Sequence, residues 1–330
     1  MGGDFGPRIT VRGAVQAARD LNVEVLLIGV ENLVKREFDR LGQAGSRITI
    51  IDAPDSVEMG EGVFSIRRKG KSSIRVGAQL VKERKADALV SMGNTAAVVY
   101  ISRKILGALR GVNKPALSLL VPTLRGVTLL LDVGANANCQ PQDLEQFAVM
   151  GKIFMERVLG HDDPRIALMS IGEEETKGND LTKRTFERLQ TAPLNFVGNV
   201  EGKDIYSGKA DVIVSDGFTG NVALKVSEGV VETLFSMAKR EIMKNVLAKI
   251  GFLLMKKHLK KVFKQVDYSE YGGAQLLGLN GVCIIGHGRS NPNAVKNAVR
   301  QARDFVASRV QDKIQEEIAK AVPAADGLGA

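Results

Sequence analysis

The chain has 330 residues, 44% of them apolar and 25% charged, enough for one large or two ordinary soluble domains with a sizeable core. Its formal charge of +9 is concentrated: nine basic residues and a single acid, Glu241, fall between Lys239 and Lys264, so the remainder is nearly neutral and a diffusely basic nucleic-acid binder is excluded. Cys139 and Cys283 show neither metal-ligand spacing nor a disulfide framework, which points to a reducing cytoplasm, and there is no signal-peptide pattern and no uncharged apolar run near the ~18 residues that span a bilayer.

After the opening MGGDFGP the pattern predicts a helix over Val11 to Asp20 and a strand over Glu24 to Val30. A helix over Leu33 to Leu41 and a strand over Arg47 to Asp52 follow. Gly70-Lys71-Ser72 resembles the end of a P-loop, but Ser65 stands where the leading glycine belongs, so an ATP site is rejected. A helix is expected over Ile74 to Lys85. From there one unit recurs: a short β-branched strand, a turn rich in Gly, Asn, Asp, Ser or Thr, and a helix. The strands are Ala88 to Ser91, Val127 to Asp132, Ile166 to Ser170, Phe196-Val197, Asp211 to Ser215 and Val282 to Ile285. Strands alternating with helices imply an α/β fold with a mainly parallel sheet covered on both faces. In such a sheet the turns share one edge, where they form a polar cleft suited to a small anion.

The stretch ADVIVSDGFTGNVALKVSE, Ala210 to Glu228, is the clearest case. A buried strand ends in a glycine-containing turn and opens into a helix, so unpaired backbone N–H groups and a positive helix end point at one spot. Absences narrow the chemistry. There is no G-x-G-x-x-G, no G-x-S-x-G, no H-E-x-x-H, and only three histidines, which argues against a dinucleotide cradle, a hydrolase triad and a zinc site. Cys139 lies in a glycine-rich turn and is read as an inert thiol rather than a nucleophile. Amides, hydroxyls and a few lysines remain, a set that positions an oxyanion without forming a covalent intermediate.

Six motifs in order, MGGDFGP, SMGNTAA, LDVGAN, SDGFTGNVALK, YGGAQLLGLNG and GHGRSN, closely resemble the acyl-ACP:phosphate acyltransferase family, the PlsX type, over nearly the whole chain. The resemblance implies a single three-layer α/β/α sandwich over residues 1–330, related to phosphate acetyltransferases and working as a homodimer without metal or cofactor. It implies reversible transfer of a fatty acyl group from acyl carrier protein to inorganic phosphate for phospholipid synthesis. The product would pass to a membrane glycerol-3-phosphate acyltransferase. Within that reaction Asn221 and Lys183 are the expected catalytic donors, and Gly217, Thr219, Gly220, Asn94, Thr95 and Asn136 the expected phosphate or oxyanion ligands. Asp216 and His287 are candidates to orient or protonate, or to cap. Two rivals stay open: a CoA-dependent phosphate acyltransferase and a non-catalytic, membrane-associated scaffold of the same fold. The family's opening motif normally follows an apolar strand, so the resemblance implies either a start upstream of Met1 or a lost first strand, which would leave a gap in the sheet beside Met1 to Asp4.

Residues 226–266 read as a protruding helical hairpin broken at Gly251-Phe252, with a tail after Val322 that frays. Ile250, Phe252, Leu253 and Leu254, flanked by Lys256 and Lys257, suit insertion into an anionic surface at the inner face of the cell membrane. The same lysines suit the acidic acyl carrier protein, and part of the apolar face suits a dimer interface.

Overall fold

The computed structural model describes residues 1–42, 47–266 and 272–321; the tail expected to fray lies outside them. Helix α1 (Pro7–Leu21) starts at a proline, whose fixed φ suits a first turn. It packs on a parallel pair, β1 (Val25–Gly29) and β2 (Ile48–Asp52), joined through α2 (Glu31–Asp39). Val11, Val15, Leu27 and Val34 make this unit a small core of its own. Then come α3 (Val63–Arg68), α4 (Ser73–Lys82), β3 (Ala88–Ser91), α5 (Thr95–Leu106), β4 (Ala116–Thr123), β5 (Gly126–Leu131) and α6 (Pro141–Leu159). The chain continues through β6 (Ile166–Met169), α7 (Asp180–Thr191), β7 (Phe196–Val200), a 3₁₀ turn at Gly202–Tyr206, β8 (Val212–Val214) and the long α8 (Gly217–Ile242). It closes with α9 (Val246–Val266), β9 (Ala274–Leu277), β10 (Val282–Ile285), α10 (Pro292–Ser308) and α11 (Val310–Ala321).

Strands β3 to β10 form one sheet in the order β3-β10-β9-β4-β5-β8-β6-β7. Side chains alternate across it, and both faces are apolar. Leu129, Leu131, Val212, Val214 and Ile284 join Phe147 and Phe154 of α6 and Phe305 of α10 on one side. Leu130, Ile213 and Ile285 join Ala78 of α4 and Ile101 of α5 on the other. Strands buried on both faces read as continuous apolar runs, which is why they were legible. Each fully buried Leu, Ile or Phe contributes roughly 1.5–3 kcal/mol, so two filled faces hold the three layers together.

Two strands, β4 and β9, fall outside the expected alternation. ALSLLVPT reverses directly into β5, with Thr123 opposite Gly126, and carries no Asn-Gly or Asp-Gly turn to announce a hairpin. Strand β9 is antiparallel to both β4 and β10. The sheet is therefore mixed. Its centre reverses polarity, so β3 and β10 point one way while β5, β8, β6 and β7 point the other. The turns do not share one edge as expected; they divide between opposite ends of the sheet.

Helices α8 and α9 run where the hairpin was expected, but the break falls at residues 243–245 and Gly251 lies inside α9. Asn245 explains the restart, since its Oδ1 accepts the Leu247 N–H at 2.8 Å. Among the described residues, none of α8 after Gly220 and none of α9 is fully buried. No described helix is long and apolar enough to cross a membrane.

Candidate active site

The turn after β5 is built around Asp132, which is completely buried. Its Oδ1 accepts the N–H groups of Leu117, Gly134 and Ala135 at 2.9–3.0 Å. Its Oδ2 accepts the backbone and side-chain N–H groups of Asn136, both at 2.8 Å. Burial pushes this carboxyl above its ordinary value, and the bonds from Ala135, Asn136, Leu117 and Gly134 oppose that push. We assign the ionised form, because five donors meet an acceptor-only group and no lone pair is left to hold a proton.

Helix α8 is stitched to this turn. Gly217 N–H donates to the Asn136 carbonyl at 2.8 Å, and the Ser215 hydroxyl to the Asp132 carbonyl at 3.2 Å. Asp216 caps the helix: Oδ1 accepts Phe218 N–H and Thr219 N–H at 2.9 Å, and Oδ2 the Thr219 hydroxyl at 2.7 Å. Gly220 N–H closes onto the Asp216 carbonyl. A Cβ on Gly220 would collide with the Asp132 carbonyl, so only glycine lets the two turns approach this closely.

The first four amides of α8 thus already have partners. The expectation that Gly217, Thr219 and Gly220 present free donors to an anion is not what this geometry gives; they build the turn. Asp216 likewise engages both carboxylate oxygens as a cap, Oδ1 with two N–H groups and Oδ2 with one hydroxyl. What this end leaves open is side chains. Asn221 is exposed, beside Gly134, and its side chain makes no hydrogen bond among the described residues. Lys183 is exposed in the first turn of α7, whose cap Asn179 accepts the Thr182 N–H at 2.9 Å; its ammonium has no partner among the described residues. Strands β8 and β6 are parallel neighbours, so α8 and α7 start from the same end of the sheet, α7 packing on one face through Phe186 and Leu189 and α8 on the other through Ala223 and Leu224. Behind Asn136 lies a residue the sequence reading passed over: Arg103, half-buried, whose Nη1 donates to Asn136 Oδ1 at 3.1 Å. A nearby lysine, Lys114, is already neutralised by Asp143 at 2.8 Å.

Residues 1–313 match the family model described as "Fatty acid synthesis protein". A phosphate acyltransferase of Desulfitobacterium hafniense is 47% identical over 320 residues, 96% of each chain. One from Thermodesulfovibrio yellowstonii is 45% identical over 318 residues, 96% of this chain and 92% of the relative. The chain belongs to the phosphate acyltransferase family. Among solved structures, a phosphotransacetylase from Streptococcus pyogenes superposes with a TM-score of 0.62 at 17% identity, covering 93% of this chain and 91% of that one. That likeness establishes the α/β/α sandwich fold.

The family's motifs divide between the two ends. LDVGAN and SDGFTGNVALK lie at the end just described, whereas MGGDFGP, SMGNTAA and GHGRSN meet at the end where β3 and β10 finish. There Asn94 is buried as the cap of α5. Its Oδ1 accepts Ala97 N–H at 3.0 Å, and its Nδ2 donates to the carbonyls of Met59, Glu61 and Glu58 at 2.7–3.3 Å. Thr95 is exposed next to it. His287 Nδ1 accepts Arg289 N–H at 3.1 Å, and Arg289 pairs with Glu232 at 2.6 Å. From Asn94 to Arg103, where α5 meets Asn136, there is about 14 Å of helical rise, and from Asp216 to Glu232 about 24 Å. The structure therefore does not bring Asn94, Thr95 and His287 to Asn221 within one chain. The antiparallel centre of the sheet is the reason.

Cys139 fits the inert reading in this phosphate acyltransferase. Burial and then the Asp132 charge push its thiol up to about 12, so the thiolate nucleophile is scarce at neutral pH. Among the described residues no three His, Cys, Asp or Glu side chains group so as to hold a metal ion.

Proposed function

We propose that this chain transfers a fatty acyl group from the thioester of acyl carrier protein to inorganic phosphate, giving acyl phosphate and the free carrier thiol. A phosphate oxygen attacks the thioester carbonyl, the C–S bond breaks, and the thiolate leaves to take up a proton. A thiol of pKa about 8.5 is a competent leaving group, so the protein supplies proximity and donors for the tetrahedral oxyanion rather than a covalent step. The observation that carries this reading is the pair Lys183 and Asn221, uncommitted side-chain donors at an end where the surrounding amides are already paired. Lys183 would neutralise phosphate and Asn221 would donate to the oxyanion. Arg103 would keep Asn136 in place behind them.

Val222, Val226, Val230 and Leu234 stay exposed along α8 at the i, i+4 spacing of one helix face. We assign that stripe to a second copy of the chain in a homodimer. Ile250, Leu253, Leu254, Lys256 and Lys257 are exposed as well, and Phe252 is half-buried. Their mixture of apolar and cationic side chains supports contact with an anionic membrane surface at the cytoplasmic face. Release to a membrane glycerol-3-phosphate acyltransferase would then occur at that surface. The function is tested by supplying acyl carrier protein and coenzyme A thioesters of one fatty acid in parallel. Acyl phosphate from the carrier thioester supports the proposal; formation only from coenzyme A, or from neither, overturns it. A Leu254→Glu variant that binds anionic vesicles as well as the parent would remove the membrane role.

A further inference from the structure

Gly70-Lys71-Ser72, the segment rejected as an ATP site, leads straight into α4. Ser72 is the N-cap, so its hydroxyl stands where it would serve the amides of Ile74 and Arg75, the second and third residues of the helix. It serves neither. Ser72 is completely buried, yet its Oγ has no hydrogen-bond partner. The Ile74 and Arg75 amides likewise find no acceptor among the described residues. The amides around them are committed: Lys71 N–H donates to Asp55 Oδ2 at 3.0 Å, Ser73 N–H to the Asp55 carbonyl at 3.3 Å and Val76 N–H to the Ser72 carbonyl at 2.9 Å. Arg75 adds another open donor. Its Nε is buried without a partner, and helical side chains lean back toward the N-terminus. Four polar groups are thus left over at one helix start, and such groups are costly unless a ligand meets them.

All four groups can donate, and the helix end carries partial positive charge, so the ligand they fit is an anion. Arg68 and Lys71, in the segment before α4, are exposed with no ion pair among the described residues. Asp55 limits the charge that fits. Its carboxylate sits in the same turn, on the Lys71 N–H, and favours a monoanion over a dianion. Ile74 packs beside Gly93 in the turn after β3, so the start of α4 lies at the end of the sheet away from Lys183 and Asn221. About 14 Å of α5 separates Asn94 from Arg103, a span for a long arm rather than a small ion. We propose, on the carrier-thioester reading above, that the start of α4 binds a phosphodiester, the monoanion through which a carrier protein holds the pantetheine arm of its acyl thioester. The Ile74 and Arg75 amides, the Ser72 hydroxyl and the Arg75 guanidinium hold its free oxygens. Coenzyme A links the same arm through a diphosphate, whose second negative charge is set against Asp55.

The test titrates three probes calorimetrically into the full chain: pantetheine, 4′-phosphopantetheine and the methyl phosphodiester of 4′-phosphopantetheine. The phosphodiester is expected to bind at least tenfold more tightly than pantetheine, and more tightly than the monoester, which is largely dianionic near neutral pH. Arg75→Gln and Ser72→Ala should each erase most of that advantage while leaving pantetheine binding unchanged. Binding of pantetheine or the monoester as tight as that of the phosphodiester, or an advantage that survives both substitutions, overturns the proposal. So does displacement of the phosphodiester by inorganic phosphate at its own KM, which would make the start of α4 an acceptor site. Should Ser72→Ala lower the thermal midpoint, Arg75→Gln, at a half-buried position, decides alone. Acyl phosphate formed from the carrier thioester without phosphodiester binding overturns this site and leaves the proposed reaction standing. Phosphodiester binding without acyl phosphate supports the site and removes the reaction.

Discussion

The two polar ends of the main sheet look alike in sequence and differ in how their donors are used. At the end of β3 and β10 Asn94 is consumed: its oxygen caps α5 and its nitrogen holds three carbonyls of the preceding loop. At the end of β5, β8 and β6 the backbone is just as fully paired around Asp132 and Asp216, yet the side chains of Asn221 and Lys183 stand exposed with no partner among the described residues. A turn rich in Gly, Asn and Asp is therefore no measure of anion-binding capacity. The capacity lies in what remains after the turn has satisfied itself.

This difference can be broken at several points. The largest effect is expected from Lys183→Ala and Asn221→Ala, each lowering acyl-phosphate formation by about 10²–10³-fold with the melting midpoint unchanged. Lys183→Ala should also raise the KM for phosphate, since in the proposed site its ammonium neutralises that anion. His287→Ala, at the other end, should leave the KM for phosphate alone; the opposite ranking would exchange the roles of the two ends. Next is Asp132→Asn, which sets an NH₂ against backbone donors in a buried pocket. Chemical denaturation should show a loss of about 3 kcal/mol, and activity should fall with it because the Asn136 turn moves. Asn94→Ala removes a cap and should cost roughly 1 kcal/mol of stability, with little change in the KM for phosphate. Smallest is Cys139. With its thiol pushed up to about 12, alkylation of the native protein should show no inflection between pH 7 and 9, and Cys139→Ser should keep full activity. An acyl group trapped on Cys139 would contradict this mechanism outright.

Most individual elements were legible because the strands are apolar on both faces and the helices start at Asn, Asp or Pro. Their arrangement was not. Polarity of the sheet turns on β4 and β9, apolar runs without a tight-turn signature, and on pairings between residues more than 150 positions apart such as Ser118 with Gln275. Once those two strands are in place, the turns expected along one edge become two separate groups. Asn221 and Lys183 could be picked out as candidates because each lies near the start of a helix after a parallel strand, a local pattern. Arg103 was missed because its contact, Asn136, is 33 residues away on another element. The pairing of Gly217 N–H with the Asn136 carbonyl is equally non-local. It is what turns a would-be anion cradle into a structural splice.

The most direct measurement is the position of bound phosphate in crystals of the protein soaked with it. The account predicts phosphate within hydrogen-bond distance of Lys183 Nζ and the Asn221 side-chain amide, at the shared end of β8 and β6. Phosphate seated instead beside Asn94 and His287, with Lys183 and Asn221 bare, would contradict it.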